Sequence, residues 1–309
     1  MSHLKASIDL GTNTARLLIG SESDGKIVRH HISRCITRLG GGFSKETGIS
    51  QDAAQRTVAA LKAFSAIIRE FKVTELRAVA TSAVRDAVNR DEFCHEVRAA
   101  SGIGLEVISG EEEARLTLAG VISGLNGITD TMLVFDVGGG STEYTLAKAG
   151  KIIFTRSLPL GVVRLTEGQG SAAAISDKIE RELKQLLAEM NAAGVTALFE
   201  DSTLIATAGT ATTLAAIDIG LTDYDYSKVN NHIITATRIT EIFKRLSPLS
   251  PSERLQQIIG LEEGREDLIV AGILLTLKSM ELFGSKSLKV SDFGLLEGVM
   301  LNTDLPESC

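Results

Sequence analysis

The sequence predicts an α/β protein built from two similar domains. Three observations carry this. Strand-like and helix-like stretches alternate along the chain. A unit of strand, Gly/Thr turn, strand, Gly turn and strand occurs twice, about 125 residues apart, which is too long a repeat for a solenoid. At 309 residues the chain has the length of about two domains.

The first copy of the unit runs Ser7-Ile8-Asp9-Leu10-Gly11-Thr12-Asn13-Thr14, then Leu17-Leu18-Ile19, a turn at Asp24-Gly25, and Lys26-Ile27-Val28. The second runs from Val134 through Asp136, Gly138, Gly139, Gly140 and Ser141 to Glu143. It continues with Tyr144-Thr145-Leu146, a turn at Ala149-Gly150, and Lys151-Ile152-Ile153. Strand segments broken by glycine turns read as hairpins. The repeat predicts two domains facing each other, 1–126 and 127–309, with the boundary within 126–131 and the last helix able to pack back on the first domain.

Helices fill the intervals. After a Ser50 N-cap, Ala54, Val58, Leu61, Phe64, Ile68 and Phe71 form one apolar stripe at steps of three and four. Leu76 to Thr81 reads as a buried strand followed by a helix from about Ser82. Leu105 to Ile108 reads as a short strand, and 111–121 as a helix. Ile179, Leu183, Leu186, Leu187 and Met190 mark another amphipathic helix. Leu204 to Thr207 reads as a strand entering a helix through Ala208-Gly209-Thr210. Pro248 and Pro251 mark one loop between helices.

Composition narrows the function. Hydrophobic residues at 44% and charged residues at 23% exclude a mostly disordered chain. A net charge of −7 makes a non-specific binder of nucleic acid or of a membrane surface a poor reading. The longest apolar run, Leu268 to Leu277, is about half of a membrane span. The start MSHLKASIDLGTN lacks the apolar core of a secretory signal. Cys35, Cys94 and Cys309 form no CxxC pair, which fits a reducing cytoplasm and gives no zinc pattern.

The two Asp-x-Gly turns are the main chemical signal. Glycine lets successive backbone N–H groups cradle a phosphate, and Thr and Ser hydroxyls add donors. Phosphate also favours a divalent metal, and Asp9, Asp136 and Glu143 are hard oxygen ligands suited to Mg2+. The alternative for a single such turn is purely structural; its recurrence in a repeated unit favours the phosphate reading. Gly209 and Thr210 open a helix and offer a third anion-binding turn. The GxxxxGK string at Gly20 to Lys26 has Ile27 where a P-loop needs Ser or Thr, and Gly138 to Glu143 leads into a strand where a dinucleotide fingerprint needs a helix.

Two further segments carry charge. Glu111, Glu112 and Glu113 begin a helix, where acids favour the dipole. Helix positions turn about 100° per residue, so one or two of the three can face a shared cleft as a general base. Arg85, after Thr81-Ser82-Ala83-Val84, can bind phosphate as a fork or be solvated. Arg38 and Lys45 flank Gly40-Gly41-Gly42, and Arg164 follows Leu160-Gly161-Val162-Val163; these read as solvated charge or as contacts to a polyanion.

Eight strings occur in order: IDLGTNTARLLI, ATSAVRDAVN, VISGEEEARL, FDVGGGSTEYTL, SLPLGVVRLTE, IATAGTATTLAAI, REDLIVAGILLT and SDFGLLEGVML. Together they resemble the exopolyphosphatase and guanosine pentaphosphate phosphohydrolase family, of the sugar-kinase, actin and heat-shock-chaperone ATPase superfamily. The resemblance spans Ala6 to about Leu301, and the chain stops soon after the last string, as in the short two-domain form. It implies two ribonuclease-H-like domains with mixed sheets flanked by helices and an active-site cleft between them. It implies Mg2+-dependent release of terminal phosphate from polyphosphate or guanosine pentaphosphate by water. The implied catalytic residues are Glu113 and Glu143. The implied phosphate ligands are Gly11, Thr12, Asn13, Thr14, Arg85, Gly138, Gly139, Gly140 and Ser141. Two departures from the family pattern are Asn230-Asn231 before His232, and Arg265-Glu266-Asp267.

On this reading the two Gly loops and Arg85 hold phosphates, Asp136 and Glu143 with Asp9 hold Mg2+, and Glu113 activates water. Two alternatives are a superfamily kinase using ATP and a non-hydrolytic sensor of guanosine tetra- or pentaphosphate. A homodimer is compatible with the sequence.

Overall fold

Every strand of the repeated unit lies in one of two mixed sheets. The computed structural model describes residues 3–23, 26–44, 46–127, 129–168 and 171–302. The expected turn at Asp24-Gly25, Lys45 and Cys309 lie outside those residues. The described chain forms two compact units, one up to Ser123 and again from Phe293, the other Gly124–Asp292. The sequence reading divides the chain at 126/127 and lets the last helix pack back on the first domain. The structure starts the second unit at Gly124 and returns to the first at Phe293.

The first unit contains β1 (Lys5–Leu10), β2 (Thr14–Ser23), β3 (Lys26–Ile36), α1 (Gln51–Glu70), β4 (Glu75–Ala80), α2 (Ser82–Arg85), α3 (Arg90–Ser101), β5 (Glu106–Val107) and α4 (Gly110–Gly124). Its sheet order is β3-β2-β1-β4-β5. The β1–β2–β3 meander is antiparallel, and β4 joins β1 in parallel. Ser50 caps α1 by accepting from the Ala53 N–H, and Val58, Leu61, Phe64 and Ile68 bury its apolar stripe. The helix expected from Ser82 is interrupted after Arg85. The Asn89 side chain bonds both backbone groups of Ile49, at 2.9 Å each, and ties this segment to the chain before α1 instead of letting one helix run on.

The second unit contains β6 (Thr131–Val137), β7 (Thr142–Lys148), β8 (Lys151–Leu158), α5 (Val162–Gly168), α6 (Ala172–Ala192), β9 (Thr203–Thr207), α7 (Ala208–Ile219), α8 (Tyr226–Val229), β10 (Ile233–Thr235), α9 (Ala236–Leu246), α10 (Pro251–Gln257), α11 (Ile269–Leu282) and β11 (Ser287–Val290). Its sheet order is β10-β11-β9-β6-β7-β8. Here too an antiparallel meander, β6–β7–β8, is extended by a strand parallel to its first member, β9 beside β6. The β7–β8 turn holds Ala149 and Gly150 at φ 48° and 74°, the mirror-image turn that matches strand twist. Asn230 and Asn231 clasp the two ends of this unit. Both donate from Nδ2 to the Gly124 carbonyl, at 2.7 and 2.9 Å, and Asn230 Oδ1 accepts from the Asp292 N–H at 3.0 Å. His232 bonds Asp218 at 2.7 Å.

The last element among the described residues is α12 (Leu295–Leu301), which belongs to the first unit. Leu295 and Val299 pack with Leu116 of α4 and Val79 of β4, while Leu296 and Met300 pack with Leu18 of β2. Ser7 on β1 donates to the Leu296 carbonyl at 2.8 Å. Glu297 is 2% exposed; it takes the Gly294 N–H at 2.8 Å and Arg29 of β3 at 2.7 Å. The Arg29 guanidinium also lies 3.9 Å over the Phe293 ring. No helix among the described residues is long and apolar enough to cross a membrane.

α4 and α12 approach through glycine. A Cβ on Gly298 would stand 1.8 Å from the Leu116 carbonyl oxygen, and one on Gly120 would stand 1.9 Å from that of Gly294. Gly298→Ala is therefore expected to cost about 1–3 kcal/mol through overpacking. Thermal unfolding checks this, at roughly 2–4 °C per kcal/mol. An unchanged midpoint would mean that the two helices do not hold each other at this distance.

Candidate active site

The first glycine turn joins β1 to β2. Its ends close when the Gly11 N–H donates to the Thr14 carbonyl at 2.9 Å. The segment after β3 then takes the turn's inner carbonyls. Gly40 N–H bonds Thr12 O at 2.8 Å, and the Thr37 and Arg38 N–H groups bond Asn13 O at 3.0 and 2.9 Å. A trans peptide points its carbonyl and its N–H in opposite directions. Fixing Thr12 O on one side therefore turns the Asn13 N–H to the other. The Asn13 side chain is 7% exposed, and its Nδ2 has no hydrogen-bond partner among the described residues. A buried donor without a partner costs roughly 1–3 kcal/mol, which an arriving anion recovers. Arg38 itself is exposed.

Asp9, at the end of β1, accepts Arg16 at 2.6 and 3.1 Å. The hairpin register places the two opposite each other. Arg16 was not legible as a site residue from motif alone, although the hairpin register would have found it. Thr12 shares a hydrogen bond of 3.0 Å with Ser82, the first residue of α2.

Of the three acids opening α4, the helix turns one inward. Glu113 is 7% exposed, Glu111 is exposed, and Glu112 sits between Arg115 and Arg77. The Arg115 hydrogen bond, with Arg77 adding to it, holds the Glu112 carboxyl below the ordinary range. Glu113 Oε2 accepts Arg85 Nη1 at 2.9 Å, and the same nitrogen donates to the Ile108 carbonyl at 3.1 Å. Arg85 thus meets the candidate base directly.

The second glycine turn, in the other unit, joins β6 to β7 by the same device. Gly138 N–H closes on Ser141 O at 3.0 Å. The start of α5 takes the inner carbonyls, Val162 N–H to Gly138 O at 3.0 Å and Val163 N–H to Gly139 O at 2.9 Å. The Gly139 and Gly140 N–H groups are thereby directed away from α5. Gly161 makes room for this, since a Cβ there would stand 2.2 Å from Gly139 O. Arg164 follows on that helix. Ser141 is buried, and Thr142 Oγ1 ties the turn to Leu160 O at 2.9 Å.

Asp136 and Glu143 face each other across the β6–β7 ladder, on one side of the sheet. Both are buried. Ser157, opposite Glu143 on β8, donates to Glu143 Oε1 at 2.7 Å. Among the described residues no group of three or more His, Cys, Asp or Glu side chains converges as a metal cage. Mg2+ needs none, because it binds through one or two carboxylates, phosphate oxygens and retained waters. The Asp136–Glu143 pair fits that donor set. Asp9 gives Oδ2 to Arg16, and its Oδ1 is a further oxygen of that kind.

The third turn stands at the start of α7, where Ala208 takes φ 64°. The Arg265 guanidinium packs on Gly209, 1.9–2.0 Å from where a Cβ would be, so a side chain there would displace the end of Arg265. Thr210 is buried against Gly272 of α11. No local sequence signal points to the Arg265–Gly209 contact.

These features can now be set beside known proteins. The chain is 32% identical to the bifunctional 3-dehydroquinate synthase/phosphatase of Fusobacterium nucleatum, over 96% of its own length and 46% of that protein's. It therefore spans about half of that relative. It is 31% identical to exopolyphosphatase 2 of Mycobacterium tuberculosis, covering 96% of this chain and 97% of that one. Among solved structures, the Aquifex aeolicus PPX-GPPA enzyme matches with a TM-score of 0.78 and 34% identity, covering 97% and 99% of the two chains. That match shows the two mixed-sheet, ribonuclease-H-like domains of the actin and sugar-kinase fold. The model of the Ppx/GppA phosphatase family covers residues 18–307, and the chain belongs to this family.

Proposed function

We propose that the chain is a Mg2+-dependent phosphohydrolase that releases terminal orthophosphate from inorganic polyphosphate, guanosine pentaphosphate or both. The observation that carries the reading is the repeated turn device. In both units the carbonyls of a glycine turn are bonded on one side, and N–H groups are directed to the other. Such donors suit the oxygens of a phosphate chain, and Asn13 Nδ2 adds a buried donor in want of an acceptor. The relatives named exopolyphosphatase 2 and PPX-GPPA enzyme support the substrate class.

Phosphoryl transfer demands in-line attack and stabilisation of charge on the equatorial oxygens. The turns hold the phosphates and orient the terminal phosphorus. Glu113 takes the proton of the attacking water. A new P–O bond forms from water, the bridging P–O bond breaks, and the shortened chain leaves with the bridging oxygen. Asp136 and Glu143 would hold Mg2+, which when bound neutralises phosphate charge. Ser157 keeps the Glu143 carboxylate in place.

Glu113→Gln is expected to lower kcat by roughly 10²–10⁴-fold while leaving the fold intact. Near-normal orthophosphate release would remove Glu113 from the mechanism. Asp136→Asn is expected to raise the Mg2+ concentration needed for half-maximal turnover, and excess chelator to stop turnover until Mg2+ is returned. Full hydrolysis in chelator would defeat the metal assignment. Comparison of kcat/KM on long-chain polyphosphate, short-chain polyphosphate and guanosine pentaphosphate fixes the preferred substrate. No orthophosphate from any of them would overturn the hydrolase reading.

A further inference from the structure

We propose that α2 is a strut that sets Glu113 relative to the first glycine turn, and that Arg85 serves the reaction by holding the Glu113 carboxylate instead of gripping phosphate. The inference rests on the hydrolytic reading of Glu113. Three contacts carry it. At its front, α2 hangs from the end of β1, where the Thr81 N–H donates to Leu10 O at 3.1 Å. Ser82 then meets Thr12, inside the turn, at 3.0 Å. At its far end Arg85 Nη1 reaches both Glu113 Oε2 and the Ile108 carbonyl, at 2.9 and 3.1 Å.

The last pair of contacts favours this role for the arginine. A guanidinium Nη carries two hydrogens, and both of these have protein acceptors. With that nitrogen committed, the planar head is fixed in orientation. It grips the carboxylate together with the backbone immediately ahead of the helix that carries it, since α4 starts at Gly110. A carboxylate as buried as Glu113 also requires a countercharge, and Arg85 supplies it. Four residues thus link the turn that binds phosphate to the group that receives the proton. Attack needs reacting atoms placed to a fraction of an ångström, so a rigid link of this kind bears on rate more than on affinity.

The test is steady-state kinetics of the full chain on short-chain polyphosphate with Mg2+, together with competitive inhibition by orthophosphate. The variants are Arg85→Met, Arg85→Lys, Glu113→Ala and the Met/Ala double variant. Arg85→Met is expected to lower kcat about 100-fold while KM and the orthophosphate inhibition constant stay within about threefold. Arg85→Lys, which keeps charge and one donor direction, is expected to recover about tenfold of that loss. Because Arg85 acts through Glu113, the double variant is expected to fall within about threefold of Glu113→Ala alone. A tenfold or greater rise in KM and in the inhibition constant with kcat retained would make Arg85 a phosphate ligand and overturn the proposal. So would multiplicative losses in the double variant. If Arg85→Met fails to fold by circular dichroism, Arg85→Lys decides on the same split between kcat and KM. Wild-type turnover by Glu113→Ala would defeat the hydrolytic reading of Glu113 itself, a result separate from either failure of the arginine.

Discussion

A peptide plane is rigid, so a carbonyl bonded on one side commits its N–H to the other. That constraint shapes both candidate phosphate turns. At Gly11–Thr14 the carbonyls are taken by residues 37–40, which follow the hairpin β2–β3. At Gly138–Ser141 they are taken by the first turn of α5, which follows β7–β8. Different secondary structures perform one task at matching places in the repeat. Neither turn stands at the N-terminus of a helix that could lend it a dipole, so donor direction rather than a macrodipole has to supply the attraction. The negative total charge makes such local donors matter more, because the general field repels a polyanion.

The helix that carries Glu113 owes its place to α12. α12 meets α4 where Gly120 and Gly298 leave no room for side chains. Glu297 anchors α12 with the buried Arg29, and losing one partner of such a pair costs about 3–5 kcal/mol because the other charge stays buried. Phe293 covers that arginine from above. Arg77 adds a second tie, from β4 to the Asn302 carbonyl at 2.8 Å. The SDFGLLEGVML string, far from the turns in sequence, thus acts on the site through packing.

Much of this was legible beforehand, and the boundary between legible and hidden is physical. Alternation and glycine turns exposed both hairpins, and a hairpin register exposes whatever stands opposite. Asp136 with Glu143 and Asp9 with Arg16 are such pairs. The apolar stripe of α1 and its Ser50 cap were equally local. The break after Arg85 was not, because Asn89, which opens α3, is held by Ile49, distant in sequence. Nor were Arg265 over Gly209 or Arg29 with Glu297, which join residues distant in sequence. Three consecutive acids at the head of α4 looked alike as letters. Only burial distinguishes Glu113 from its neighbours, and burial depends on what packs against the helix.

The buried carboxylates therefore divide by their partners. Glu113 has a cation, which stabilises its charge and fixes one oxygen, leaving the carboxylate oriented for a proton. Glu143 has a hydroxyl donor and a second carboxylate, Asp136, across the ladder. Two carboxylates side by side supply hard oxygens of the kind that a divalent ion takes. Asp9 pairs through Oδ2 with Arg16 of its own hairpin. One fold repeated twice thus gives four buried acids three different electrostatic surroundings, and the surroundings rather than the motif assign the chemistry.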